Sequence, residues 1–180
     1  DPVPGTVTRN DQTVPAPGFE DIWLMGNRSA EQTAKLRAGM LTELPRRATP
    51  DLCEMGLVSN ATGLMPSSEN LHTPISRTVE VPEFMTTRDM GGLLSDSGVL
   101  DTVNCLRKPE ESSMAGGVFI VIACEDRTTW DMLIAKGHPA NREKSCAMIH
   151  RPVHLLGVEA PISVMAAALM GHATGAEKMT

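Results

Sequence analysis

The sequence predicts an α+β fold, a mixed or antiparallel sheet with helices packed on it. Three observations carry that prediction. Ser29-Ala30-Glu31-Gln32 opens an apolar pattern at helical spacing, and residues 117–124 form an unbroken apolar run of strand length. Strands and helices also fail to alternate cleanly along the chain, which a doubly wound parallel sheet would require.

Residues 1–18 carry Pro2, Pro4, Pro15 and Pro17. Proline fixes φ and removes a backbone donor, so residues 1–28 read as an extended arm, a linker or an ordinary terminus ahead of an α+β domain over 29–180. In the first helix Ser29 caps and Gln32 completes a capping box. Leu36, Met40, Leu41 and Leu44 are expected on its buried side, Lys35, Arg37 and Glu43 outside, and Pro45 as its stop. A second helix starts at Asp51 with Leu52, Met55, Val58 and Leu57 on its apolar side, reaching Gly63 through small residues. Residues 66–82 read as a long loop with a short extended piece at 78–81.

Residues 98–106 alternate well enough for a strand. In residues 117–124 the apolar run is continuous, which predicts a strand covered on both faces. A helix over 125–136 carries Trp130, Leu133 and Ile134 and ends at Gly137. Residues 147–150 make a short strand, and 161–170 a final helix with Pro161 in its first turn and Gly171 as its stop.

Composition excludes several function classes. The chain has 180 residues, 41% hydrophobic and 21% charged, which suits one globular unit. It has no tyrosine, three phenylalanines, two tryptophans and twelve methionines, so core volume must come from aliphatics and methionine. A net charge of −6 is the wrong sign for neutralising a phosphate backbone, and Arg46-Arg47 and Arg107-Lys108 are too short for a basic patch; nucleic acid is not an expected partner. No apolar stretch approaches bilayer-spanning length, so no membrane partner is expected. Cys53, Cys105, Cys124 and Cys146 make no zinc-spaced cluster, so no metal site is expected, and they read as thiols of a cytoplasmic protein. The chain begins at Asp1 rather than methionine, which is expected of processing or of a piece of a larger protein.

Motifs for nucleotide and hydrolase chemistry are missing from the sequence. There is no Gly-x-Gly-x-x-Gly, no phosphate loop of the Gly-x-x-x-x-Gly-Lys type and no Gly-x-Ser-x-Gly; the pairs Gly91-Gly92 and Gly116-Gly117 lack a strand-turn-helix setting. The run from His150 to Pro161 is the most informative. Pro152 disfavours a helix that would bring His150 and His154 onto one face as a metal pair. Arg151 can hold an anion bidentately, His154 can relay a proton and Glu159 can fix it. The residues alone favour a plainer arrangement, with Arg151 paired to Glu159 and His154 a hydrogen-bonded core group. Glu54 and Asn60 could meet a ligand across the small-residue surface of the second helix; close helix packing at Gly56 and Ala61 is the plainer account.

The segments EMGLVSNATGLMP, LHTP, GVLDTVNCL, GGVFIVIA and RPVHLLGVEAPISV occur in this order between Glu54 and Val164, and the resemblance they carry runs from about Met40 to Ala176. Together they resemble the catalytic domain of homoserine-dehydrogenase-like NAD(P)-dependent oxidoreductases. That group includes the 1-deoxy-D-xylulose-5-phosphate reductoisomerase-like enzymes with a C-terminal SAF domain. The resemblance implies a substrate-side half whose NAD or NADP is held mainly by a Rossmann domain outside this chain. Members of that group carry an aspartate-glycine-threonine-lysine stretch before the second helix. Here the positions read Pro45-Arg46-Arg47-Ala48-Thr49-Pro50-Asp51, with no lysine to polarise a carbonyl.

The expected function is therefore the substrate half of an NAD(P)H-dependent oxidoreductase acting on a small hydroxy-carbonyl compound, sugar phosphates included. His154 and Glu159 are the catalytic candidates, and Arg151, Asn60 and Glu54 the substrate contacts. A homo-oligomer is expected through the 117–124 strand or the 161–170 helix. The alternative is a self-association domain that kept this fold without the chemistry.

Overall fold

The computed structural model of the protein describes residues 5–9, 12–45, 51–153 and 160–172. It is an α+β fold of short ladders, two antiparallel and two parallel. Where the prolines suggest an arm, strands β1 (Thr6–Arg9) and β2 (Gln12–Pro15) pair as an antiparallel hairpin, followed by a 3-10 turn at Phe19–Ile22. Val7, Val14, Ala16, Phe19 and Ile22 are buried there against Leu41, Leu44, Ile75 and Leu106. Pro15 and Pro17 fall at the strand end and the turn, where no ladder donor is needed.

Helix α1 (Ala30–Met40) starts as the sequence predicts. Ser29 accepts the Gln32 amide at 3.1 Å, and the Gln32 side chain accepts the Ser29 amide at 3.0 Å. Its buried face differs from the expected one. Arg37 is 0% exposed, whereas Leu36 is turned to solvent. All five guanidinium hydrogens of Arg37 are used: two go to Glu80, and three to the carbonyls of Ile22, Trp23 and Ile75. A fully satisfied guanidinium can be buried where an unpaired one cannot. The helix also ends before Pro45, because Leu41 and Leu44 turn into the hairpin core.

Helix α2 (Asp51–Thr62) ends on Gly63 at φ +75°, whose amide reaches Ser59 O at 2.8 Å; Leu57 is exposed rather than packed. Strands β3 (Met65–Pro66) and β4 (Ile75–Ser76) follow. The chain is then helical where a short extended piece is expected, with a 3-10 turn at Thr78–Glu80 and helix α3 (Val81–Phe84). Pro82 favours this, since its fixed φ suits a first helical turn.

Residues 98–106 make two brief strands instead of one, β5 (Val99–Leu100) and β6 (Asn104–Cys105). Strand β3 pairs parallel with β5, and β4 parallel with β6. Between the two ladders, residues 67–74 on one side face only 101–103 on the other, so the longer segment bows out. Strand β7 (Val118–Ala123), helix α4 (Arg127–Ala135), capped by Asp126, and strand β8 (Cys146–Arg151) come next. β7 and β8 pair antiparallel from Val118↔Arg151 to Ala123↔Cys146.

Met148, Phe119 and Val121 face a core with Met25, Val81, Phe84, Met85 and Met114, where methionines fill the volume that aromatics elsewhere would. The expected cover on the other face is present at one end only: α4 lays Trp130 and Leu133 against Ile122 and Ala147, whereas Ile120 beyond it is 56% exposed, with Val118 and Ile149 beside it. Helix α5 (Ala160–Met165) runs into a π-helical turn at Ala166–Met170 and stops at Gly171. No helix among the described residues is long and apolar enough to cross a membrane.

Candidate functional site

The bowed segment 67–74 builds the site. Its conformation is set by one carboxylate. Asp101, its side chain 1% exposed, accepts the amides of His72 at 2.9 Å, Thr73 at 3.3 Å and Thr102 at 2.8 Å on Oδ1. Its Oδ2 meets His72 Nδ1 at 2.7 Å. Asn104 clamps the segment from the other side: its Nδ2 donates to Thr73 O at 2.7 Å and its amide to Pro74 O at 2.8 Å. Arg9 donates to Asn104 Oδ1, tying the first hairpin to the same clamp.

Held this way, Leu71 and Thr73 lie in the left-handed region at φ +52° and +42°. A β-branched residue there is strained, and such conformations persist only where the surroundings fix them. Between them the His72 ring is 21% exposed and lines a cleft of about 570 Å³. The opposite wall is α1, which contributes Lys35, Ala34 and Ala38; Thr42 and Asn70 add polar groups at the rim. Lys35 is held by Glu31 at 2.7 Å. α1 packs on β4, and the Arg37–Glu80 pair, two residues on from Lys35 and three from Ala34, fixes it. The cleft therefore offers an imidazole, two hydroxyls, an amide and an ammonium above small apolar side chains. That donor set suits a small, polar, oxygen-rich ligand.

A smaller cleft of about 280 Å³ lies at Arg77, Thr78 and Glu111. Arg77 sits 5.0 Å over the Trp23 ring and bonds Glu111 at 3.1 Å, so its charge is already engaged. Backbone hydrogen bonding at Lys108 holds the Glu111 carboxyl below its usual range, with Arg77 adding to the effect.

The sequence-derived candidates fall on separate elements. Glu54 is exposed and Asn60 half-buried on α2, which packs against β3. Arg151 is exposed at the end of β8, which packs against β7 and α3, and its Nε donates to Val153 O at 3.3 Å. His154 and Glu159 lie outside the described residues, as do Arg46 and Arg47. His72 and Asp101 were not singled out by the sequence. The signal that could have found them is their place in LHTP and GVLDTVNCL, two of the segments that carry the resemblance. Nothing in the sequence announces that these two segments lie side by side.

The described residues offer no strand-turn-helix of the glycine-rich dinucleotide type. β7 leads through Cys124-Glu125-Asp126 into α4, the one longer strand-turn-helix passage among them. Two carboxylates stand in that turn where a pyrophosphate needs glycines and open amides, and Asp126 Oδ2 already takes the Thr129 amide at 2.7 Å. β7 also pairs antiparallel, not as part of a parallel crossover unit.

None of the curated proteins compared with the chain matches it. A family model described as the catalytic domain of oxidoreductase DRL matches residues 8–160, which includes most of the first hairpin, the β7–β8 pair, the bowed segment and the Asp101 clamp. The chain belongs to the oxidoreductase DRL catalytic-domain family.

Proposed function

We propose that this domain is the substrate half of an NAD(P)-dependent oxidoreductase and that its substrate, a small hydroxy-carbonyl compound such as a sugar phosphate, binds in the cleft between α1 and residues 70–75. The observation that carries the reading is the cleft itself. It is walled by a strained segment that Asp101 and Asn104 fix, and it gathers hydroxyl, amide, imidazole and ammonium groups around small side chains. The cofactor, NAD or NADP, is held mainly outside this chain, in keeping with the missing glycine fingerprint and the acidic turn before α4. Kinship to homoserine-dehydrogenase-like and reductoisomerase-like enzymes is part of the same proposal and rests on the five segments named above.

Arg151 is proposed as an anion contact. What supports it is exposure and the lack of any ion pair for it among the described residues. A second copy of the chain is proposed to cover the apolar outer face of β7 and β8. The β7 edge away from β8 pairs with nothing among the described residues, and an open strand edge is a template for another strand. Sedimentation at tens of micromolar should then report a dimer or larger species, and a pure monomer contradicts it.

The experiment for the main reading follows nicotinamide absorbance with the full-length protein and a panel of hydroxy-aldehydes, hydroxy-ketones and their phosphate esters. Turnover on at least one compound is expected. A folded protein that turns over none would favour the self-association domain.

A further inference from the structure

We propose that His72 is an acid–base residue of this cleft, exchanging a proton between its Nε2 and an oxygen of the bound substrate, and that Asp101 is the positioning residue that keeps Nε2 available. The proposal rests on the reading of the cleft as the substrate pocket.

The tautomer follows from the donors and acceptors. Asp101 already takes three backbone amides, so its carboxylate acts as an acceptor throughout, and the 2.7 Å contact to His72 requires the hydrogen to sit on Nδ1. The lone pair of the neutral ring is then on Nε2, which has no hydrogen-bond partner among the described residues and lies on the side of the ring away from Asp101. A second nitrogen fixed by a buried carboxylate is the arrangement that orients a general base and stabilises the imidazolium that forms.

The contrast with Arg37–Glu80 separates a structural pair from a working one. Arg37 is fully buried and every hydrogen it can give is accepted. His72 is partly open and has one nitrogen to spare, and the residues on both sides of it are held in left-handed geometry. A histidine needed only to fill space would not require Leu71 and Thr73 to be strained around it.

The proton step balances without a further reactant. The substrate O–H bond breaks, its electron pair stays on the substrate oxygen, and an N–H bond forms at Nε2. The imidazolium keeps its Nδ1–H on Asp101, and the reverse transfer returns the proton to a carbonyl or alkoxide oxygen. Among the described residues, the charged groups at the ring and the cleft are Asp101 behind it and Lys35 on α1, whose ammonium Glu31 holds.

The test uses the whole protein, with nitrogen NMR of the His72 ring as the readout that does not depend on turnover. Neutral His72 should carry its proton on Nδ1. Asp101→Asn should move it to Nε2, because an asparagine oxygen still accepts the three amides while its NH2 cannot accept from Nδ1. His72→Gln should lower turnover on an accepted substrate by about 10²–10⁴-fold and remove one limb of the pH–rate profile, while that substrate still shifts the amide signals of the cleft. If Asp101→Asn does not fold, the wild-type tautomer and His72→Gln decide alone. A proton found on Nε2 in the wild type, or His72→Gln turning over at the parent rate with the same pH profile, overturns the proton role and leaves the pocket standing. A folded protein whose cleft signals respond to no compound of the panel overturns both.

Discussion

Arg37 and Glu80 join α1 to the turn before α3 through two charge-assisted hydrogen bonds of 2.7 and 3.1 Å, inside the core. Glu80 spends its remaining capacity on the amides of Met25 and Arg77, at 3.2 and 3.1 Å. The pair therefore gathers four chain segments at one point, and the wall of the cleft that α1 provides depends on it.

Arg37→Met should be among the most damaging single substitutions. It leaves a buried carboxylate without its counter-charge and the three carbonyls without the donor they now have, a cost of about 3–5 kcal/mol. For a chain of this size that corresponds to roughly 6–20 °C in Tm by calorimetry. Adding Glu80→Leu should recover only part of the loss, because the carbonyls of Ile22, Trp23 and Ile75 still lack that donor.

Gly92→Ala should be nearly as severe. A Cβ at that position would stand 2.1 Å from the backbone oxygen of Thr86, which is pinned by the Leu94 amide at 3.0 Å. The cost of moving that backbone is about 3 kcal/mol. Gly91→Ala meets no atom but sits at φ +87°, so it should cost about 1 kcal/mol, and thermal melts of the two variants give the order directly.

The pH dependence of stability should carry a contribution from His150. Its Nε2 is buried without a partner among the described residues, against Gly117, and burial pushes its pKa below the ordinary 6.5. As pH falls through about 6.5 the unfolded chain takes up a proton that the folded ring refuses, so this contribution to stability is present above that value and is lost on acidification. His150→Gln should flatten the fall in Tm between about pH 7 and 5 relative to wild type. Parallel curves for the two proteins would contradict it.

Arg151→Met should leave Tm nearly unchanged, within the roughly 0.5 kcal/mol typical of surface changes. If Arg151 contacts an anionic substrate, KM should rise about 10–100-fold, the loss of one charged hydrogen bond. An unchanged KM would leave the anion to the Lys35 wall of the cleft.

Much of the fold is written locally and was legible. The Ser29–Gln32 box, the glycine after α2, the helix over Arg127–Ala135 and the strand at Val118–Ala123 all follow from short-range signals. What failed depends on distant partners. Arg37 reads as a surface charge because nothing near it in sequence announces Glu80 or the three carbonyls that let it be buried. The strand expected over 98–106 breaks at Asp101 because that carboxylate turns toward residues some thirty positions earlier. The first 28 residues read as an arm from their prolines, yet Val7, Val14 and Phe19 find Leu41 and Leu106 across the chain. The same limit hid the site. His72 and Asp101 are unremarkable one at a time, and only the interrupted parallel ladders bring them to 2.7 Å.

The most direct test of the account is amide NMR of the full-length protein titrated with a hydroxy-carbonyl compound that it turns over. The account predicts shift changes concentrated at Lys35, Asn70, His72 and Thr73, the two walls of the cleft. Changes confined to Arg77, Thr78 and Ser112, or absent from residues 70–75, would place the substrate elsewhere and contradict it.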